Sequence, residues 1–312
     1  MKKIAFMFPG QGAQVVGMGK DFYEKDESVR ELFKRASESI NLDLANLCFN
    51  ETQDELNKTE NAQLAIAITS LAISKMLKNN NIIPNLSLGL SLGEYTALID
   101  GNYLSLEEGI KLLQKRGFYM STLVPEEEYS MCAVIGLDSK EIENVCNNIS
   151  EKEKIVVPSN YNYSLQTVIS GNKEKVEEAS KILLEKKARV VQLKTSGPFH
   201  TSKLEKASKE FKNELEKISW NNGSIPVLKN LDGKFYKKTE NMVETLTKHM
   251  VSPVRFDKQI KKMQEENIDI YIEVGPGKAL SGFLKKENPS AKIYNVSTLD
   301  GFTRIKIERI IK

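Results

Sequence analysis

The pentapeptide Gly89-Leu90-Ser91-Leu92-Gly93 constrains this chain more than any other stretch. Residues 85–90 read as a short strand and helical spacing starts at Gly93, so the serine falls on a strand-to-helix turn. In that setting the glycines permit a sharp, strained turn that projects the serine hydroxyl above the edge of a sheet. The same turn aims the Leu92 amide, backed by a helix N-terminus, at a reacting carbonyl. Read alone, the pattern has two meanings: a nucleophile elbow, or a glycine-rich turn used only for tight packing.

Around it the hydrophobic pattern alternates in period. Residues 4–8 form an apolar run that breaks at Pro9-Gly10-Gln11-Gly12, a buried strand entering a tight loop. Helical spacing covers 29–40, 62–77 and 105–123, the last with Glu107 and Glu108 complementing the helix dipole. Strands alternating with helices predict a mainly parallel sheet covered on both faces, a hydrolase-like α/β core. After Pro125 the pattern changes. Strands at 131–135, 155–157, 166–170 and 190–193 interleave with helices at 139–149 and 173–186, the β-α-β-β-α-β order of a ferredoxin-like unit. We therefore expect a small inserted subdomain at 127–196 within a large catalytic domain built from 1–126 and 197–312. The large part resumes with helices at 204–218 and 243–250, a strand at 270–274, the Gly275-Pro276-Gly277 turn, a helix at 278–286 and a closing strand at 292–296.

Composition narrows the chemistry. A chain of 312 residues can bury a large core, and a net charge of +3 sets up no dominant field for nucleic acid or membrane. The apolar run behind Met1-Lys2-Lys3 is too short for a signal h-region, and no later stretch approaches a membrane span. The three cysteines, Cys48, Cys132 and Cys146, lack CxxC spacing, so we expect no disulfide framework, no metal site and a cytoplasmic location. Histidine is scarcer still. His200 and His249 are the only two, so any imidazole chemistry has just those candidates.

Extended to Gly89-Leu90-Ser91-Leu92-Gly93-Glu94-Tyr95-Thr96-Ala97-Leu98, the turn resembles the active-site block of the malonyl-CoA:acyl carrier protein transacylases, the acyltransferase family of fatty-acid and polyketide synthesis. Phe8-Pro9-Gly10-Gln11-Gly12-Ala13-Gln14 is similar to that family's N-terminal block. Arg116-Gly117, Asn160-Tyr161-Asn162, Ser196-Gly197-Pro198-Phe199-His200 and Glu273-Val274-Gly275-Pro276-Gly277 match later blocks in the same order. The resemblance covers essentially the whole chain. It implies that Ser91 carries the acyl group as an ester, that His200 is its base, and that the Gln11 amide joins Leu92 as oxyanion donor. Arg116 is implied to grip the free carboxylate of malonate. No carboxylate stands where a triad would need one, so the resemblance implies a dyad with backbone carbonyls orienting the imidazole. Phe199 corresponds to a position that favours malonyl over bulkier methylmalonyl groups, while a plain core phenylalanine would look the same. Asn160 and Gln166 are expected at the subdomain cleft, bonding the acyl or pantetheine part. His249 stands where the family commonly has glutamine; it either lines or supports the substrate site, through its main-chain carbonyl, or is a helix-terminal histidine near a dipole. Leu90 departs from the family, which has histidine before the serine.

The chemistry needs these residue types. A serine hydroxyl is a poor nucleophile until a base takes its proton, and a guanidinium offers two parallel donors to a planar carboxylate. The loop at 9–12 lacks both G-x-G-x-x-G spacing and a Walker lysine, which argues against a phosphate loop. The expected reaction is ping-pong transfer of malonyl from malonyl-CoA to the phosphopantetheine thiol of acyl carrier protein, by a monomer with no tightly bound cofactor. The carrier is usually acidic, so a basic patch around the cleft, including Lys285 and Lys286, is expected. Three rivals share the motif: a serine esterase or thioesterase, a trans-acting polyketide acyltransferase, and a non-catalytic carrier-binding module. Against the first, α/β-hydrolases order their triad Ser…Asp/Glu…His and lack the inserted unit.

Overall fold

Ile4–Phe8 is buried at every position and forms the strand around which the larger sheet is built. The computed structural model describes residues 2–194 and 197–307. Its strands, in chain order, are β1 (Ile4–Phe8), β2 (Leu86–Gly89), β3 (Tyr129–Ile135), β4 (Val156–Tyr163), β5 (Gln166–Asn172), β6 (Arg189–Gln192), β7 (Val254–Arg255), β8 (Ile270–Val274) and β9 (Ile293–Val296). The first sheet has four strands in the order β2-β1-β8-β9, every pair parallel. Parallel neighbours need crossovers, and helices supply them on both faces, so β1, β2 and β8 are wholly buried.

The helix Thr59–Asn79 is buried on nearly all sides, with Gln63, Thr69, Ser70 and Ser74 enclosed among its apolar residues, the mark of a core helix. Leu106–Thr122 packs along it, started by a capping box between Ser105 and Glu108. The two helices meet closely at Gly117, where a Cβ would lie 2.6 Å from Glu60 Cα. That approach sets the depth at which neighbouring Arg116 enters the core.

The second sheet has five strands in the order β6-β3-β5-β4-β7. Its first four are antiparallel and, with helices Ser139–Ile149 and Lys173–Glu185, make the β-α-β-β-α-β unit around a separate apolar cluster. The fifth, β7, was not expected. It comes from the later part of the chain and pairs parallel with β4 at Asn160↔Val254 and Tyr161↔Arg255. β4 also runs well past the expected 155–157. Pro158, Ser159, Asn160 and Asn162 break the apolar alternation by which a strand is read, and the register shifts at Pro158/Asn160. The strand at 293–296 does not close the fold: Leu299–Ile307 follows and buries Phe302 and Ile305. Residues 195 and 196, the end of the expected 127–196 stretch, lie outside the described residues. No helix among the described residues is long and apolar enough to cross a membrane.

Candidate active site

β2 ends at Gly89 and the helix Leu92–Asp100 begins two residues beyond Leu90, so the chain reverses at Ser91 with φ 56 and ψ −107. A serine adopts that conformation only under tertiary constraint. The turn is tight enough that only glycine fits on either side. A Cβ on Gly89 would lie 2.1 Å from Gly93 C, and one on Gly93 would lie 2.2 Å from Phe8 O. Asn230, fully buried, holds the turn from outside. Its Oδ1 accepts from Ser91 N–H at 2.8 Å and its Nδ2 donates to Gly89 O at 2.7 Å.

Ser91 Oγ lies 2.8 Å from His200 Nε2, and His200 Nδ1 lies 3.1 Å from the main-chain oxygen of His249. A carbonyl only accepts, so Nδ1 carries the proton and the Nε2 lone pair faces the serine hydroxyl. His200 is itself at φ 61 and buried. Burial holds its pKa well below the ordinary 6.5, and the neighbouring His249 ring and Arg116 guanidinium act in the same direction. The imidazole is therefore neutral at neutral pH, as a general base must be.

Arg116 sits behind the serine, 1% exposed. Its Nη2 donates to Ser91 Oγ at 3.1 Å, its Nη1 to Gln63 Oε1 at 2.6 Å, and its guanidinium lies 5.0 Å from the centre of the Tyr95 ring. Among the described residues no carboxylate reaches ion-pair distance of it, and burial lowers its pKa below the usual guanidinium value, with Tyr95 and Glu94 opposing. A buried cation with no carboxylate at contact distance, bonded to the Ser91 hydroxyl, is suited to receive an anionic group.

In front of the serine a cavity of about 490 Å³ opens between the two sheets. Gln11, Ser91, Asn160, Gln166, Phe199 and His200 all line it, while Arg116, Leu92 and His249 lie behind that surface. The N–H groups of Gln11 and Leu92 donate to no described residue, and the Gln11 side chain ties its loop to Thr59 Oγ1 at 3.2 Å. Leu90 lines the cavity and rests on Gly10, where a Cβ would meet Leu90 Cδ2 at 2.7 Å. Lys278 lines the cavity, and Lys285 and Lys286 are not among its lining residues. Those two lie in the last turn of Ala279–Glu287, roughly 10 Å along the helix axis from Lys278. Lys285 Nζ is spent on Pro289 O.

Residues 5–301 match the acyl transferase domain family. The chain is 38% identical to the malonyl CoA-acyl carrier protein transacylase of Bacillus subtilis, over 95% of this chain and 94% of that one. It belongs to the malonyl CoA-acyl carrier protein transacylase family. The solved transacylase of Clostridium perfringens superposes with a TM-score of 0.94 at 40% identity, covering 98% of this chain and 96% of that one. A malonyl-transacylase solved in complex with its type II PKS acyl-carrier protein gives a TM-score of 0.94 at 31% identity, covering 98% and 100%.

Four residues of this transacylase site escaped the sequence reading: Gln63, Glu94, Asn230 and Lys278. Glu94 lies inside the quoted active-site string, yet in the first turn of a helix it reads as a dipole-facing surface carboxylate. It is 1% exposed, with Oε1 accepting from Tyr236 O–H at 2.7 Å and from Asn230 N–H at 3.1 Å. For Gln63 the one signal in the sequence was an amide side chain standing between Ala62 and Leu64 in the apolar helical stretch 62–77.

Proposed function

We propose that the protein transfers a malonyl group from malonyl-CoA to the phosphopantetheine thiol of acyl carrier protein, through a malonyl ester on Ser91, and so supplies fatty-acid synthesis. One observation carries this reading: Ser91 Oγ lies between His200 Nε2 at 2.8 Å and Arg116 Nη2 at 3.1 Å, so base, nucleophile and carboxylate receptor converge on one atom.

His200 Nε2 takes the proton from Ser91 Oγ as Oγ bonds to the thioester carbonyl carbon. The carbonyl oxygen becomes an oxyanion held by the Gln11 and Leu92 N–H groups, which need no rearrangement to receive it. Collapse breaks the C–S bond, and the CoA sulfur leaves with the proton returned by His200. The carrier's thiol then gives its proton to His200 and attacks the ester, and the second collapse restores Ser91 Oγ–H. Throughout, Arg116 holds the free carboxylate, exchanging its bond to Oγ for bonds to malonate. The His249 carbonyl keeps the imidazole in its tautomer, and Phe199 limits width beside the acyl α-carbon. Asn160 and Gln166 present amides to the acyl or pantetheine part, and Lys278 offers a cation where a phosphate or an acidic carrier would approach.

The division into 1–126 with 197–312 and an inserted 127–196 belongs to the same proposal, with the cleft between them admitting the pantetheine arm. So do a cytoplasmic location, in keeping with three buried free cysteines, and a monomeric state. The relative solved in complex with its acyl-carrier protein supports the choice of partner. Intact-mass measurement tests the proposal. Malonyl-CoA alone should add one malonyl group to the wild type and none to Ser91→Ala or His200→Ala, and carrier protein should then remove it. Release as free malonate, equally fast without carrier, would make the protein a hydrolase instead.

A further inference from the structure

We propose that Glu94 and the His249 side chain form a buried positioning pair for the base His200, resting on the reading of His200 given above. His249 Nδ1 lies 3.0 Å from Glu94 Oε2, and both side chains are 1% exposed. Glu94 Oε1 is already engaged by two donors, Tyr236 O–H and Asn230 N–H, whereas Oε2 has His249 Nδ1 as its near neighbour. The approach is at ion-pair distance but off the line of a hydrogen bond. Two bare lone pairs held 3.0 Å apart away from water would repel, so we assign the Nδ1–H tautomer, held by the field of the carboxylate through a bent contact and not by an aligned hydrogen bond.

His249 in turn touches His200 twice. Its main-chain oxygen accepts from His200 Nδ1 at 3.1 Å, and its ring stacks on the His200 ring with centroids 5.1 Å apart and planes 27° apart. On the other side lies the Tyr95 ring, 6.2 Å away, which also carries Arg116. Anchoring the His249 ring at Glu94 fixes the carbonyl and the ring face against which the base rests. Glu94 stands three residues after Ser91 in the same helix-starting turn, so one element supplies the nucleophile and the anchor of its base. The pair touches no substrate. It acts on the rate of proton transfer and leaves acyl-CoA binding alone.

The chain's two histidines make ¹⁵N-histidine NMR an unambiguous test. The wild type should show His249 as the Nδ1–H tautomer. In Glu94→Gln the two donors at Oε1 keep the amide oxygen there and turn the NH2 toward His249, so its ring should switch to Nε2–H. Ser91 acylation should slow about ten- to a hundredfold, the cost of a misplaced catalytic group, with KM for malonyl-CoA unchanged. His249→Leu should lose a similar factor. His249→Gln, which keeps the carbonyl and can direct an N–H at Glu94, should recover most of it. A wild-type His249 in the Nε2–H form would overturn the pair, and that spectrum needs no variant to fold. So would a folded His249→Leu that acylates at the wild-type rate while His200→Ala is inert. Full acylation by His200→Ala would instead overturn the reading of His200 as base.

Discussion

Replacing Arg116 by alanine separates recognition of the free carboxylate from general damage to the site. In the free protein its guanidinium is buried and bonded to Gln63 and Ser91, so the truncation removes a hydrogen bond to the nucleophile whatever the acyl group. That shared loss is about 1 kcal/mol, roughly fivefold in rate, and acetyl-CoA should show it. Malonyl-CoA should lose more, because its carboxylate would be desolvated with no cation to meet it. Leaving one partner of a buried charge pair unpaired costs about 2–5 kcal/mol, or roughly 30- to 5,000-fold in kcat/KM. The ratio of malonyl to acetyl transfer should therefore fall by roughly 5- to 1,000-fold. The assay is quenched-flow acylation of Ser91 by each acyl-CoA, read by intact mass, with thermal unfolding as a check on the fold. Arg116→Lys should keep the charge but lose the paired donors, and so fall between. Equal losses for the two acyl groups would show that Arg116 only packs the site, and the clamp would be wrong.

Four further outcomes follow from particular residues. Since burial depresses the His200 pKa well below 6.5, kcat/KM should stay flat down through pH 6.5 and fall only at lower pH; an acid limb at or above 6.5 would contradict a buried neutral base. By linkage the unfolded chain takes that proton more readily, so the stability His200 contributes is intact above about pH 6.5 and is lost as pH falls toward its folded value, which denaturant titrations should follow. Asn230→Ala leaves Ser91 N–H and Gly89 O without partners, at about 1–3 kcal/mol for each group; the midpoint of chemical unfolding should drop and kcat fall further than KM rises, and an unchanged kcat would show that the elbow holds itself. Gly93→Ala puts a methyl 2.2 Å from Phe8 O, so the variant should be insoluble or lose several kcal/mol in urea titration; a stable, active protein would mean that the turn can relax.

What could be read in the sequence was what local pattern encodes. Ile270–Val274 and Ser139–Ile149 occur with the expected bounds because short apolar runs and 3.6-residue spacing mark them cleanly. β7 was illegible: two residues have no period, and they are extended only because β4 offers an edge. The short helices Lys20–Lys25, Leu44–Phe49 and Gln53–Asn57 fail for the same reason. Asn230 shows a deeper limit. Its bond to the nucleophile spans 139 positions, and nothing in residues 228–233 distinguishes a clamp from a turn asparagine.

Neither Ser91 nor His200, the two residues proposed to react, has the backbone its own side chain prefers. Ser91 at φ 56 and His200 at φ 61 both occupy the left-handed region, at a cost of about 1–3 kcal/mol each. No local signal selects that state for serine or histidine, so neighbours must impose it. At Ser91 they are the two bonds from Asn230 and the close passage of Gly93 beneath Phe8. At His200 they are the His249 carbonyl on one side and Thr201 on the other, its Oγ1 donating to Pro198 O at 2.7 Å and accepting from Lys203 N–H at 3.2 Å. The strain is set before substrate arrives, and the 2.8 Å contact between Oγ and Nε2 exists in the free protein as its result. Loosening the His249 carbonyl or the Thr201 turn should therefore reduce the rate of proton transfer well before it unfolds the chain, because neither contact is made by β1, whereas Gly93 packs directly on Phe8 and serves both the turn and the core.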